Sequence, residues 1–143
     1  MTQINDIHQH CQSQGIKLTP LRKKVIEILN ACDSPISAYA LLEQLKQCHP
    51  TANIMSVYRI LNFLEAHQLV HKIDNTNHYT LCCHPSSQIC QLLVCQQCHQ
   101  KFEIHTPEID TLLQQIASEH HFQLMSNKIV LSGYCHHCQI QTQ

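Results

Sequence analysis

Ten cysteines and thirteen histidines in 143 residues concentrate soft metal ligands, and four of the cysteines are spaced for coordination chemistry. Cys95-x-x-Cys98 and Cys135-x-x-Cys138 are two Cys-x-x-Cys turns. One such turn sets two sulfurs within reach of a single tetrahedral ion, and two turns from distant parts of a chain complete the four-sulfur shell of a structural zinc. The 36 residues between Cys98 and Cys135 exceed the short loop of a zinc ribbon, so a small folded unit is expected between the pairs, clamped by the ion. Just upstream, Cys82, Cys83, His84 and Cys90 are a surplus of ligands that predicts a second site. Cys82 and Cys83 are adjacent, and on a strand they point to opposite faces, so one of the two is not a ligand. Cys11, Cys32 and Cys48 read as small core or partly buried thiols. His120-His121 and His136-His137 read as solvated, and His99 and His105 as spare donors.

Composition restricts the rest. The formal net charge is −1, unlike a protein coated in basic surface. Residues 1–82 carry seven Lys/Arg against six Asp/Glu, and the remainder two against four, so any nucleic-acid contact must come from a local patch in the first half. No apolar run approaches the roughly 20 residues that span a bilayer, and the opening MTQINDIHQH lacks the regions of a secretory signal. A cytoplasmic protein is expected, with no membrane partner. In that reducing compartment ten cysteines fit metal or redox chemistry better than disulfides. No Ser/His/Asp ordering and no glycine-rich phosphate loop occurs among only two glycines, so no enzyme is predicted.

The elements that must position these groups fall into two sets. Residues 3–14 suit a polar helix stopped at Gly15. Thr19 caps and Pro20 opens a second helix to about Ala31, with Leu21, Val25, Ile28 and Leu29 on one face. Ser37 caps a third, to Cys48, with Leu41, Leu42 and Leu45 apolar, and His49-Pro50 ends it. A fourth runs from about Ile54 to Gln68, with Val57, Ile60, Leu61 and Leu64 at helical spacing and Ser56, Tyr58, Arg59 and Asn62 on the polar side. Two alternating runs, Leu69–Ile73 and His78–Cys82, flank Asp74-Asn-Thr-Asn77 and read as a hairpin. Helices followed by a hairpin read as a winged helix with the fourth as recognition helix. After Pro85-Ser86-Ser87, strands at Gln88–Val94 and Lys101–His105, a helix capped by Thr106, and one or two strands within Phe122–Tyr134 lead to the last cysteine pair and a polar tail. That helix carries an apolar stripe of Ile109, Leu112, Leu113 and Ile116. One helix on one sheet face leaves apolar surface exposed and predicts a dimer. The expected class is α+β: a winged-helix DNA-binding domain over 1–83, a hinge at 84–87, and a zinc-stapled α/β dimerisation domain over 88–143.

The combination resembles the ferric uptake regulator family of bacterial metalloregulators. The resemblance lies in Lys17-Leu-Thr-Pro-Leu-Arg22, Ile36-Ser-Ala-Tyr39, Ser56-Val-Tyr-Arg59, the hairpin and both cysteine pairs, and covers nearly the whole chain. Within the family it is most similar to the zinc uptake branch. Iron-sensing members usually carry a histidine-rich run before the first cysteine pair, where this chain has Gln88-Ile-Cys-Gln-Leu-Leu-Val94. The zinc-branch pattern falls on His71, Cys82, Cys90 and Glu103. The third position is usually histidine, so Cys90 departs from the pattern and His84 competes with it. Two thiolates, an imidazole and a carboxylate suit zinc, whereas iron(II) or manganese(II) favours nitrogen and oxygen donors.

The resemblance implies a homodimer with two zinc ions per subunit, one structural and one regulatory, bound as a repressor to an AT-rich inverted repeat at zinc-uptake genes. Arg59 is then expected to contact a purine and Tyr58 a phosphate or thymine methyl, with Ser56 beside them on the recognition helix. Tyr39, Arg22 and Lys17 are expected on the phosphate backbone. Glu43 and Lys46, at i,i+3, either pair with each other or join neighbouring dimers on DNA. The rivals are an iron- or peroxide-sensing repressor, a thiol oxidoreductase, which lacks a βαβ pattern around either pair, and a zinc-buffering module without DNA affinity.

Overall fold

A computed structural model of the chain describes residues 2–73, 77–82, 89–104, 106–125 and 128–141. It divides into two compact units, Met1–Pro85 and Ser86–Gln143. The expected hinge, the Asp74–Thr76 part of the hairpin turn, Cys83, His84 and His105 lie outside the described residues.

The first unit holds four helices, α1 (Thr2–Gln14), α2 (Pro20–Asn30), α3 (Ala38–Lys46) and α4 (Ile54–Ala66). Gly15 ends α1 at φ 69°. Its N–H donates to the Gln12 carbonyl, and that of Ile16 to the Cys11 carbonyl, the paired bonds of a Schellman stop that only an easily left-handed residue permits. Thr19, Ser37 and Asn53 cap α2, α3 and α4 by accepting from the N–H of Arg22, Ala40 and Ser56. The buried faces follow the helical period: Val25, Ile26, Ile28 and Leu29; Ala38, Leu41 and Leu45; Val57, Ile60, Leu61 and Leu64. Leu21 and Leu42, expected inside, are only partly buried against this core. A small antiparallel sheet closes the unit, in the order β1 (Ile36–Ser37), β3 (His78–Leu81), β2 (Val70–Ile73). The two-residue strand β1 is too short to show any alternation in sequence.

The second unit contains β4 (Cys90–Cys95), β5 (Lys101–Ile104), α5 (Pro107–Glu119), β6 (Lys128–Gly133) and α6 (His136–Gln141). Strand order is β5-β4-β6, antiparallel on one side and parallel on the other. The parallel partner requires a crossover, which the stretch containing α5 supplies. Three expectations need correction. Thr106 occupies the N-cap of α5 but its side chain makes no capping bond. Instead its carbonyl accepts from the side-chain amide of buried Gln91 at 3.0 Å, and the same amide reaches Asp110 at 3.2 Å. The α5 stripe is largely open: Ile109, Leu112 and Ile116 are 38%, 55% and 45% exposed, Leu113 is half-buried, and Ala117 is the residue the helix buries. The end of the last cysteine pair and the expected tail share a helix, α6, which carries Cys138 and runs on to Gln141.

Candidate metal centres and nucleic-acid interface

The four paired cysteines meet within the second unit. Strand β4 ends at Cys95, whose N–H bonds the Gln100 carbonyl, while His99 at φ 62° turns the chain and donates to the Cys95 carbonyl. This knuckle exposes Cys98 beside Cys95. Gln96 N–H donates to the Gly133 carbonyl at 2.8 Å, which lashes the end of β6 to the knuckle and delivers Cys135 and α6. Ligand atoms of Cys95, Cys98, Cys135 and Cys138 all lie within 4.8 Å of one another. Cys98 Sγ and Cys135 Sγ are 3.8 Å apart. A tetrahedron with metal–sulfur bonds of about 2.3 Å has edges of about 3.8 Å, the separation of Cys98 and Cys135, so the cluster could hold a zinc ion.

The electrostatics of this cluster favour the same occupant. The Cys135 backbone N–H donates to Cys95 Sγ at 3.4 Å and, with the Cys98 N–H, brings the Cys95 thiol down to about 5. Burial, reinforced by the neighbouring sulfurs, pushes Cys138 up to about 12. Four sulfurs this close cannot all ionise unless a cation sits among them.

A second pair of donors stands on the hairpin of the first unit. His71 is register partner of Thr80, and Cys82 lies two residues beyond Thr80, with its N–H bonded to the Leu69 carbonyl at 2.8 Å. Residues two apart on a strand share a face, so His71, Thr80 and Cys82 project from one side. Val70, Tyr79 and Leu81 project from the other, into the helical core. His71 and Cys82 bring their ligand atoms within 4.8 Å of each other and are both buried. In the second unit Cys90 is buried at the start of β4. Glu103 is opposite Leu92, which puts it on the Cys90 face of that sheet, and its carboxylate accepts from Lys101 Nζ at 3.0 Å.

The expected DNA-facing residues have distinct settings. Arg59 is exposed on α4, and among the described residues its guanidinium has no hydrogen-bond or ion-pair partner. Tyr39 is 64% exposed at the first turn of α3. Ser56 Oγ is 3.2 Å from Asn53 Oδ1 at the helix cap. Tyr58 is half-buried, packed on the core. Arg22 lies 3.5 Å over the Phe63 ring and donates Nη1–H to the Lys17 carbonyl at 3.0 Å, so its guanidinium is held in place. Glu43 and Lys46 are exposed and form no ion pair with each other, unlike Lys24 and Glu27 at the same spacing on α2.

A family model described as the ferric uptake regulator family matches residues 13–132. The chain belongs to that family. A member that it resembles is the zinc uptake regulation protein of Escherichia coli K12, 32% identical over 90% of this chain and 76% of that protein. The ferric uptake regulation protein of Campylobacter upsaliensis is 30% identical over 90% of this chain and 84% of its own length. Among solved structures, a zinc uptake regulator complexed with zinc and DNA superposes with a TM-score of 0.83 at 29% identity, covering 98% of this chain and 95% of that one.

Three residues of this family member escaped the sequence reading. Phe63, the seat of Arg22, sits in an apolar helical pattern and looks like any core residue. Gln91 is a polar residue within a strand, and its tie to α5 depends on a contact 15 to 19 residues away. Met55 reads as apolar helix filler, yet is 59% exposed.

Proposed function

We propose that the protein is a zinc-responsive transcriptional repressor, acting in the cytoplasm as a homodimer on an AT-rich inverted repeat at zinc-uptake genes. The observation that carries the reading is the buried His71–Cys82 pair on the hairpin. A thiolate beside an imidazole is a borderline-soft donor set, suited to zinc more than to iron(II) or manganese(II). Relatives named for zinc uptake, and the solved relative holding zinc and DNA, support it.

In this reading Cys95, Cys98, Cys135 and Cys138 hold a permanent zinc. His71 and Cys82 share a second, exchangeable zinc with Cys90 and Glu103, with His84 the alternate third ligand, giving two ions per subunit. Glu103 must then loosen its ion pair with Lys101. Sharing one ion between the two units sets the separation of the two recognition helices, so that both reach successive major grooves about 34 Å apart. Such coupling amounts to about 1–3 kcal/mol. Arg59 reads a purine edge, Tyr58 contacts a phosphate or a thymine methyl with Ser56 beside it, and Tyr39, Arg22 and Lys17 hold phosphates. Glu43 and Lys46 remain available for contact between neighbouring dimers.

The test is fluorescence anisotropy on an AT-rich inverted-repeat duplex in metal buffers, comparing wild type with Cys82→Ser. Tight binding with zinc alone, lost in the variant, is expected. Equal binding with iron(II) or manganese(II), or indifference to Cys82→Ser, replaces this reading with an iron or peroxide sensor.

A further inference from the structure

The first unit buries its large apolar side chains fully or in part, with two exposed exceptions among the described residues, Tyr39 and Met55. Met55 is the second residue of α4, just after the Asn53 cap. The buried face of this helix is Val57, Ile60, Leu61 and Leu64. Residues 55, 59 and 62 follow one another at i, i+4 and i+7, which is one stripe of a helix, and all three are exposed. Met55 therefore stands one turn before Arg59 on the outward side, with Asn62 one turn beyond. In a recognition helix the N-terminal residues are the ones that meet base edges. An apolar side chain there has one natural partner in the major groove, the C5-methyl group of thymine. Tyr58, the other candidate for that contact, has its ring packed against the core and half-buried. In the same first turn Ile54 packs against the core, and the Ser56 hydroxyl is 3.2 Å from Asn53 Oδ1.

We propose that Met55 is a specificity-determining residue, its thioether side chain covering a thymine methyl group next to the base pair read by Arg59. The inference rests on the DNA-binding reading above and adds the base it selects. Methionine suits the role because its unbranched, polarisable chain adapts to the methyl surface without a fixed rotamer. No hydrogen bond is involved, so the discrimination is for thymine over cytosine and uracil, both of which lack the methyl group.

The test begins with a duplex selected from a randomised pool by the zinc-loaded full chain. Each thymine of one half-site is then replaced in turn by deoxyuridine, which removes the methyl group and leaves base pairing intact. With wild type, one replacement is expected to weaken binding roughly fourfold, the loss of about one buried methyl group. With Met55→Ala the same replacement is expected to change nothing, while Met55→Leu restores part of the sensitivity. Arg59→Ala is measured in parallel. If the pool yields a specific duplex that Arg59→Ala no longer binds, yet wild type and Met55→Ala respond alike to every replacement, the Met55 assignment is overturned and the DNA-binding reading stands. If no duplex is enriched above non-specific binding, the reading itself falls and the assignment with it.

Discussion

The two units of this chain treat apolar surface in opposite ways. In the first, α1–α4 and the hairpin close around one core, and only Tyr39 and Met55 of the large apolar residues described there stay exposed. In the second, Leu93, Phe102 and Leu131 lie open on one sheet face, beside Tyr134, along a groove of about 250 Å³, and Ile109, Leu112 and Ile116 of the α5 stripe are exposed. A unit of this size that buries so little cannot be held by hydrophobic burial alone. The difference teaches that the first unit folds by its own core, whereas the second depends, in the proposed reading, on its sulfur clamp and on a second copy.

Removing the clamp tests this hardest. Cys95→Ser, or exhaustive chelation, is expected to unfold the second unit and leave the first intact, because a structural zinc contributes on the order of 10 kcal/mol. Hydrogen exchange reads it directly: amides of β4 and β6 lose protection while those of α2 and α4 keep theirs. Simultaneous loss in both units would break the comparison. Next in size, Leu61→Ala removes a fully buried side chain and is expected to cost about 2–5 kcal/mol. The loss should appear in the denaturation of the first unit, with the zinc content of the second unchanged by atomic absorption.

The helix caps sharpen the contrast at smaller scale. Asn53 accepts the Ser56 N–H at 3.0 Å, so Asn53→Ala is expected to cost about 1 kcal/mol. Thr106 makes no such bond, and Thr106→Ala should shift the melting midpoint far less; equal shifts would mean that α5 is capped like α4. Smallest of all on the folding of the isolated subunit is Leu112→Glu, at an exposed position, within about 0.5 kcal/mol. The same change should convert the proposed dimer to monomer in sedimentation, since it puts a charge on the open stripe. An unchanged dimer would move the interface elsewhere, to the Leu93–Phe102–Leu131 face.

Legibility in the sequence followed the range of the interactions involved. The caps at Thr19, Ser37 and Asn53 and the Gly15 stop are bonds between neighbours, and two of those caps and the stop were readable from residue type alone. Both cysteine pairs were readable because coordination imposes a spacing that little else does. Phe63 beneath Arg22, and Gln91 holding the start of α5, join positions far apart in the chain and carry no local signature. Thr106 was misread for the same reason: a good capping residue in the right place has its carbonyl, not its hydroxyl, engaged by a distant strand.

By itself the sequence determined the helical periods, the hairpin and the spacing of the four paired cysteines, since each is fixed by short-range sterics, alternation or coordination number. Only the tertiary structure decided which faces close and which stay open. It set the tip of β6 beside the knuckle so that the cysteine pairs meet, turned His71 and Cys82 to the side of the hairpin away from the core, and left Met55 and the α5 stripe in solvent. The physical reason is that burial belongs to pairs of surfaces, and one periodic pattern is equally consistent with a face that finds its partner within the chain and one that does not.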